Sequence, residues 1–433
     1  MTRKDQLKTI IVDAQERELP EIWDRSADVP LDCGKIITLS GVRRSGKTYC
    51  LLRLIRRLRA DGLETKRILY INFEDERIRL REDELDSILQ SYRELYPDMN
   101  LSECFFFFDE IQEAEGWERF IARLYETVSK RVFITGSNAR FLSREIATAL
   151  RGRSVTYEIY PLSFSEYAGV THPGLNPHKS ADAAKLARAF DDFVKRGGFP
   201  ETIKQDTDVR EKILQEYFNV MVFRDLVERY EISQAQTLKY FCKRALGASG
   251  GEFSLNKIFN ELKSQGYKVG KDTLYAWRDY MDDVYLCRFV NKYSDSTVKS
   301  ENSRKKTYII DAGLGAAMDY KFAEDRGRQF ETTVALEFLK RGKHISYLQN
   351  GFECDFVVQE KGLVTQAVQA AVDISTPETL ERELKGLAFA CARFGLREGT
   401  VITFDHEEQI QKNGVSITIA PAWKYFLENG AQY

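Results

Sequence analysis

Two short stretches carry residue types that could do chemistry together. The first is GVRRSGKT, residues 41–48, in which Gly41 and Gly46 bracket a four-residue gap and Lys47 and Thr48 follow at once. Glycines at that spacing let backbone N–H groups turn inward around an anion, and a helix starting there adds the positive end of its dipole. Lys47 is placed to neutralise phosphate charge, and the Thr48 hydroxyl to ligate a divalent cation. Arg44, Ser45 and Tyr49 complete the positions expected to bind nucleotide. The second stretch is FFFFDE, residues 105–110, where Asp109 and Glu110 stand directly behind four phenylalanines. In phosphoryl transfer such a pair divides the labour: Asp109 holds Mg2+, directly or through water, and Glu110 polarises the attacking water. No guanine-reading NKxD stretch occurs, so ATP is expected over GTP.

These side chains need a frame. Four aromatics in a row match neither a half-exposed strand nor a surface helix, and they predict a short strand buried on both faces of a parallel sheet. Its acids then lie at the carboxyl edge, where ligands bind in open α/β sheets. Ile36, Ile37 and Leu39 predict a strand before the glycine loop, and the leucines at 51, 52 and 54 a helix after it. RILYINFEDERIR (67–79) predicts another buried strand, with Glu74 and Asp75 lining the same edge. RVFITGSNARFLS (131–143) predicts a third, ending in a polar tip where Asn138 would sense the terminal phosphate. Just before the strand SVTYEIY stand Arg151 and Arg153, candidates for an arginine finger reaching a neighbouring subunit.

Composition sets the bounds. The 433 residues suit about two to four domains. Net charge is −2, so a polyanion would have to meet a local basic patch. The seven cysteines lack CxxC spacing and the four histidines lie far apart, which argues against structural zinc and against a disulfide framework. The N-terminal stretch is charged with no apolar h-region, and no run approaches the ~20 apolar residues of a membrane span. A cytoplasmic protein is expected.

Taken together, GVRRSGKT, YINFEDERIR, FFFFDEIQEAEGWERF, FITGSNARFLS, LRGR and YPLSFSEY resemble a widespread group of bacterial and archaeal AAA+ ATPases. The likeness continues through GGFPE (197–201), FRDLVERY (223–230), KKTYIIDAGL (305–314), RGRQFETTVALEFLKRG (326–342) and ECDFVV (353–358). It implies an α/β protein in which a P-loop AAA+ core with a helical lid is fused to a winged helix and a restriction-nuclease-like α/β domain. A homo-oligomer is expected, with a hexamer one candidate and the number of subunits left open.

The remaining chain divides accordingly: AAA+ core 1–161, helical lid 162–235, winged helix 236–310, nuclease-like domain 311–433. TLKYFCKRALGAS, SLNKIFNELKSQG and KDTLYAWRDYMDDVYL predict three helices, followed by LCRFVNKY and TYIIDAG as hairpin strands. The third helix would read DNA with Lys271, Asp272, Thr273, Tyr275 and Arg278, although Asp279, Asp282 and Asp283 weaken its electrostatic case. The loop DSTVKSENSRKKT (295–307) offers Lys299, Arg304, Lys305 and Lys306 as a phosphate-contacting wing. In the last domain Glu331 and Asp355, the latter expected after a strand, resemble the acids of a PD-(D/E)xK nuclease. Gln369 stands where the second acid should be and Ala371 where the lysine should be, so a degenerate fold that does not cut is expected. Three functions follow: an ATP-driven motor that remodels duplex or branched DNA, a nucleotide-controlled switch acting on a protein partner, or an ATP-dependent nuclease.

Overall fold

The computed structural model describes residues 2–78, 80–136 and 152–429. They form two compact units that divide between Tyr160 and Pro161.

The first unit is built on a five-stranded sheet in the order β2-β3-β4-β1-β5, with every neighbouring pair parallel. The strands are β1 (Ile36–Ser40), β2 (Ile68–Asn72), β3 (Phe105–Asp109), β4 (Val132–Gly136) and β5 (Ser154–Glu158). Helices α1 (Arg3–Glu16), α2 (Lys47–Ala60), α3 (Asp86–Leu95) and α4 (Trp117–Thr127) accompany the strands. The four phenylalanines explain why this sheet needs covering on both faces. Phe106 and Phe108 join Leu7, Ile88, Tyr92, Trp117 and Ile121 in one core. Phe105 and Phe107 join Leu51, Leu54 and Phe133 in the other. Phe107 stacks on Phe133 with centroids 4.7 Å apart. A fully buried phenylalanine contributes about 1.5–3 kcal/mol by leaving water, so the strand's central place is strongly determined.

The second unit holds a three-stranded sheet, β6-β8-β7, and a six-stranded sheet, β13-β14-β12-β11-β10-β9. The first comprises β6 (Gly251–Phe253), β7 (Cys287–Asn291) and β8 (Lys305–Ile309), all antiparallel. The second comprises β9 (His344–Asn350), β10 (Phe352–Glu360), β11 (Leu363–Ala370), β12 (Glu398–Thr403), β13 (Glu408–Lys412) and β14 (Val415–Pro421). Helices Ala235–Leu246, Leu255–Ser264 and Lys271–Asp283 occupy the three helical stretches read from 237–286. β6 (GEF) and β13 (EQIQK) are short and mostly polar, so neither carries a hydrophobic strand pattern in the sequence.

The Gly197-Gly198 break has a specific cause. Gly197 has φ 78°, and a Cβ there would lie 2.0 Å from the Asp311 carboxylate. The Gly198 N–H donates to Asp311 Oδ2 at 2.6 Å, while Asp311 Oδ1 accepts from the Leu314 N–H at 2.9 Å and caps helix Ala312–Met318. The motifs GGFPE and KKTYIIDAGL therefore meet at one buried carboxylate.

Two expectations need correction. Lys305 and Lys306 do not belong to an exposed wing: β8 begins at Lys305 and is buried at all five positions, because it is the central strand of its sheet. Ahead of it, residues Thr297–Glu301 form a short helix. Asp355 does not follow a strand but lies inside β10, where the pairing with β9 shifts register between Cys354 and Val357.

Candidate functional site

The glycine loop between β1 and α2 is shaped by close approach. A Cβ on Gly41 would come within 2.1 Å of the Ile159 carbonyl oxygen, so only glycine fits there. Arg44 and Gly46 adopt left-handed conformations, φ 66° and 98°, and Gly46 opens α2. Ser45 is fully buried, its hydroxyl without a hydrogen-bond partner and its carbonyl accepting from Arg25 at 2.9 Å. Lys47 is folded back. Its ammonium donates to the carbonyls of Gly41 (3.2 Å) and Val42 (3.3 Å) and lies 3.5 Å from Glu110 Oε1. Thr48 is half-buried and hydrogen-bonds Asp109, while Tyr49 is exposed.

The two acids sit opposite this loop. Asp109 is completely buried at the end of β3, and each carboxylate oxygen has a donor from a neighbouring strand: Thr135 Oγ1 of β4 at 2.5 Å on Oδ1, and the Tyr70 hydroxyl of β2 at 2.9 Å on Oδ2. Burial raises the Asp109 carboxyl, and the bond from Thr135 opposes that rise. Glu110 takes a left-handed backbone, φ 49°, unusual for a residue with a side chain. Its N–H donates to Thr135 Oγ1 at 2.8 Å, and Gln112 Nε2 donates to its Oε2 at 2.6 Å. Burial pushes the Glu110 carboxyl up, but the charge of Lys47 and the Gln112 bond outweigh it and hold the group below its ordinary value. Glu110 is thus an ionised carboxylate in a buried site, and Thr135 ties both acids together. Neither Thr135 nor Tyr70 was singled out from sequence. The signal for Thr135 was its place at the carboxyl end of FITG.

Other expected residues fall in several places. Glu74 pairs with Arg43 of the glycine loop at 3.0 Å, and Asp75 with Arg77 at 2.7 Å. Asn138 and Arg151 lie outside the described residues. Arg153 pairs with Glu126 at 2.5 Å, and its carbonyl accepts from the Ile36 N–H, which puts it at the amino edge of the sheet. In the second unit Lys271 and Tyr275 are exposed and Thr273 is half-buried. Arg278 binds Asp279 at 2.6 Å and lies over the Tyr275 ring. Lys299 is exposed, and Arg304, also exposed, pairs with Glu252 at 3.0 Å.

Lys305 bonds Asn291 and reaches Glu301 at 3.3 Å. The Lys306 ammonium is enclosed by Glu331 (2.9 Å), Glu353 (2.9 Å) and Asp355 (3.1 Å). Tyr308 also donates to Glu331, at 2.9 Å. Burial and the neighbouring Asp355 charge push Glu331 up to about 7. Gln369 Oε1 accepts from the Asp355 N–H at 2.7 Å, and its amide donates to Glu383 at 2.8 Å. Glu331, Glu353 and Asp355 therefore meet around a lysine from β8, and Gln369 joins them through the Asp355 backbone.

The donors fit Mg2+ bound together with a nucleotide. Asp109 and Thr48 supply hard oxygen ligands, the Gly41 cradle admits no side chain, and the orphaned Ser45 hydroxyl lies within the loop. No cluster of three or more His, Cys, Asp or Glu residues able to hold a metal by itself occurs among the described residues. No helix among them is long and apolar enough to cross a membrane.

Comparison with known proteins agrees with this geometry. A family profile described as an AAA domain matches residues 34–168, and one described as a domain of unknown function (DUF8612) matches residues 187–325. The uncharacterized protein MJ1544 of Methanocaldococcus jannaschii is 32% identical over 421 residues, covering 94% of this chain and 91% of that protein. An uncharacterized protein of Haemophilus influenzae is 28% identical over 395 residues, covering 90% and 94%. Among solved structures, the Walker-type ATPase of Pyrococcus abyssi is 14% identical with a TM-score of 0.41, covering 73% of this chain and 95% of that one. The chain belongs to the family that includes MJ1544, and its nucleotide-binding part is an AAA domain of the P-loop ATPase class.

Proposed function

We propose that the protein hydrolyses ATP with Mg2+ and couples the cycle to binding and remodelling DNA. The observation that carries the hydrolytic part is the Lys47–Glu110–Thr135–Asp109 cluster at the carboxyl edge of the sheet. In this reading Gly41, Arg44, Ser45, Gly46, Lys47, Thr48 and Tyr49 hold the nucleotide, and Thr48 and Asp109 hold Mg2+, which neutralises phosphate charge. Lys47 leaves its loop carbonyls for the phosphates. That frees Glu110, kept ionised and close by, to orient and polarise water. Asn138 is proposed as sensor and Arg151 or Arg153 as the finger of a neighbouring subunit in a homo-oligomer.

The DNA part rests on the second unit. Three helices followed by the β7–β8 pair support a winged helix, and the exposed Lys271, Tyr275, Lys299 and Arg304 support a backbone-contacting face. The convergence of Glu331, Asp355 and Gln369 supports a nuclease-like fold. Lys306 sits among the carboxylates that a metal would need, and we read that domain as a non-cutting one. The deciding experiment measures ATP turnover with and without duplex, single-stranded and four-way-junction DNA at fixed salt. Stimulation by DNA, with the DNA left intact, is expected. Turnover indifferent to every DNA would favour a nucleotide-controlled switch acting on protein, and Mg2+-dependent cleavage lost on Asp355→Ala would favour a nuclease.

A further inference from the structure

Tyr70 has no assigned role, yet its hydroxyl reaches the most deeply buried acid of the nucleotide site. β3 runs between β2 and β4, so Asp109 is flanked by both neighbours, and each sends it one hydroxyl. A carboxylate gripped on both oxygens cannot rotate about its own bond, and its remaining lone pairs point in fixed directions. The Thr48 hydroxyl, the other expected ligand, is a further hydrogen-bonding neighbour of that carboxylate. The Tyr70 ring packs against the core that holds Phe105 and Phe107. It borders a cavity of about 230 Å3 lined also by Leu52, Ile55, Arg59 and Arg17. The ring is held by that packing, and its hydroxyl in turn fixes the carboxylate.

We propose that Tyr70 is a positioning residue for the divalent cation: its hydroxyl sets the rotation of Asp109 toward Thr48, and with it the affinity for Mg2+ in the nucleotide complex. The inference rests on Asp109 being the metal-holding acid. Outer partners of metal-binding carboxylates typically govern affinity about 10–100-fold.

The test compares Tyr70→Phe with Asp109→Asn in the full chain. Mn2+ binding in the presence of a non-hydrolysable ATP analogue is read by electron paramagnetic resonance, and Mg2+ titrations of turnover are run alongside. Tyr70→Phe keeps the ring and is expected to weaken Mn2+ binding and raise the half-saturating Mg2+ by about tenfold. At saturating Mg2+ the turnover number should return to within about threefold of wild type, and metal-free nucleotide binding should not change, since the phosphate cradle is untouched. A merely space-filling tyrosine would move none of these. Unaltered Mn2+ affinity in Tyr70→Phe, with Asp109→Asn losing it, overturns the proposal and leaves the Asp109 assignment standing. Unaltered Mn2+ affinity in Asp109→Asn overturns both.

Discussion

Lys47 and Glu110 touch, yet removing them should have different consequences. Lys47→Ala removes the charge that matches the phosphates and should abolish nucleotide binding in a fluorescent-nucleotide titration. Glu110→Gln keeps that charge, so binding should persist while turnover falls ~10²-fold or more. Normal turnover in Glu110→Gln would remove the water-polarising role. A second buried acid gives a pH test. Glu331 is pushed up to about 7 from 4.5, so the folded chain holds a proton that the unfolded chain has released between those values. The stability it contributes is fully present below about 4.5 and is lost as pH rises through about 7. Denaturant titrations should show wild type losing stability relative to Glu331→Gln across that window. Parallel curves would mean that Lys306 keeps Glu331 ionised throughout.

At the scale of elements, the junctions are held by single polar groups with several partners. Thr135 at the end of β4 joins Asp109 and Glu110. Asp311 joins the Gly197-Gly198 turn to the start of helix Ala312–Met318. In Asp311→Ala, two buried N–H groups lose a charged acceptor and a helix loses its cap, which should cost about 3 kcal/mol in chemical denaturation. Asp311→Asn can still accept one of those bonds and should cost less. Equal losses in the two variants would show that the site is governed by packing and not by its hydrogen bonds. The same logic separates the lysines of β8 from their neighbours in sequence. Lys305 and Lys306 are buried because carboxylate and amide oxygens meet them inside the sheet, and an unpaired ammonium at such depth would be prohibitive.

For the molecule as a whole, net charge is −2, so any affinity for DNA must come from a local patch. Neutralising Lys271, Lys299 and Arg304 together should weaken binding to all DNA sequences alike. It should flatten the salt dependence by up to three phosphate contacts, at a log–log slope of about 0.9 each. Fluorescence anisotropy at several salt concentrations measures this. An unchanged slope moves the DNA surface elsewhere. Lys306→Gln, by contrast, should leave the slope alone and lower thermal stability, because it strips a buried cation from its carboxylates.

The sequence alone determined whatever is written in contiguous residues. GVRRSGKT is a complete cradle because glycine backbone freedom, the lysine and the start of the helix all lie within eight positions. FFFFDE declares a strand buried on both faces because four consecutive aromatics admit no exposed side. Contacts across strands were decided only by the tertiary structure. Tyr70 and Asp109 lie 39 residues apart, Thr135 and Asp109 lie 26 apart, and nothing in ILYIN distinguishes this tyrosine from a core residue. Lys306 stands in a run that reads as a basic loop, and it is 49 residues from Asp355. A lysine carries the same local signature in a solvated loop or a buried strand. What separates the two is whether distant carboxylates arrive to compensate its charge, and that depends on how the sheets assemble.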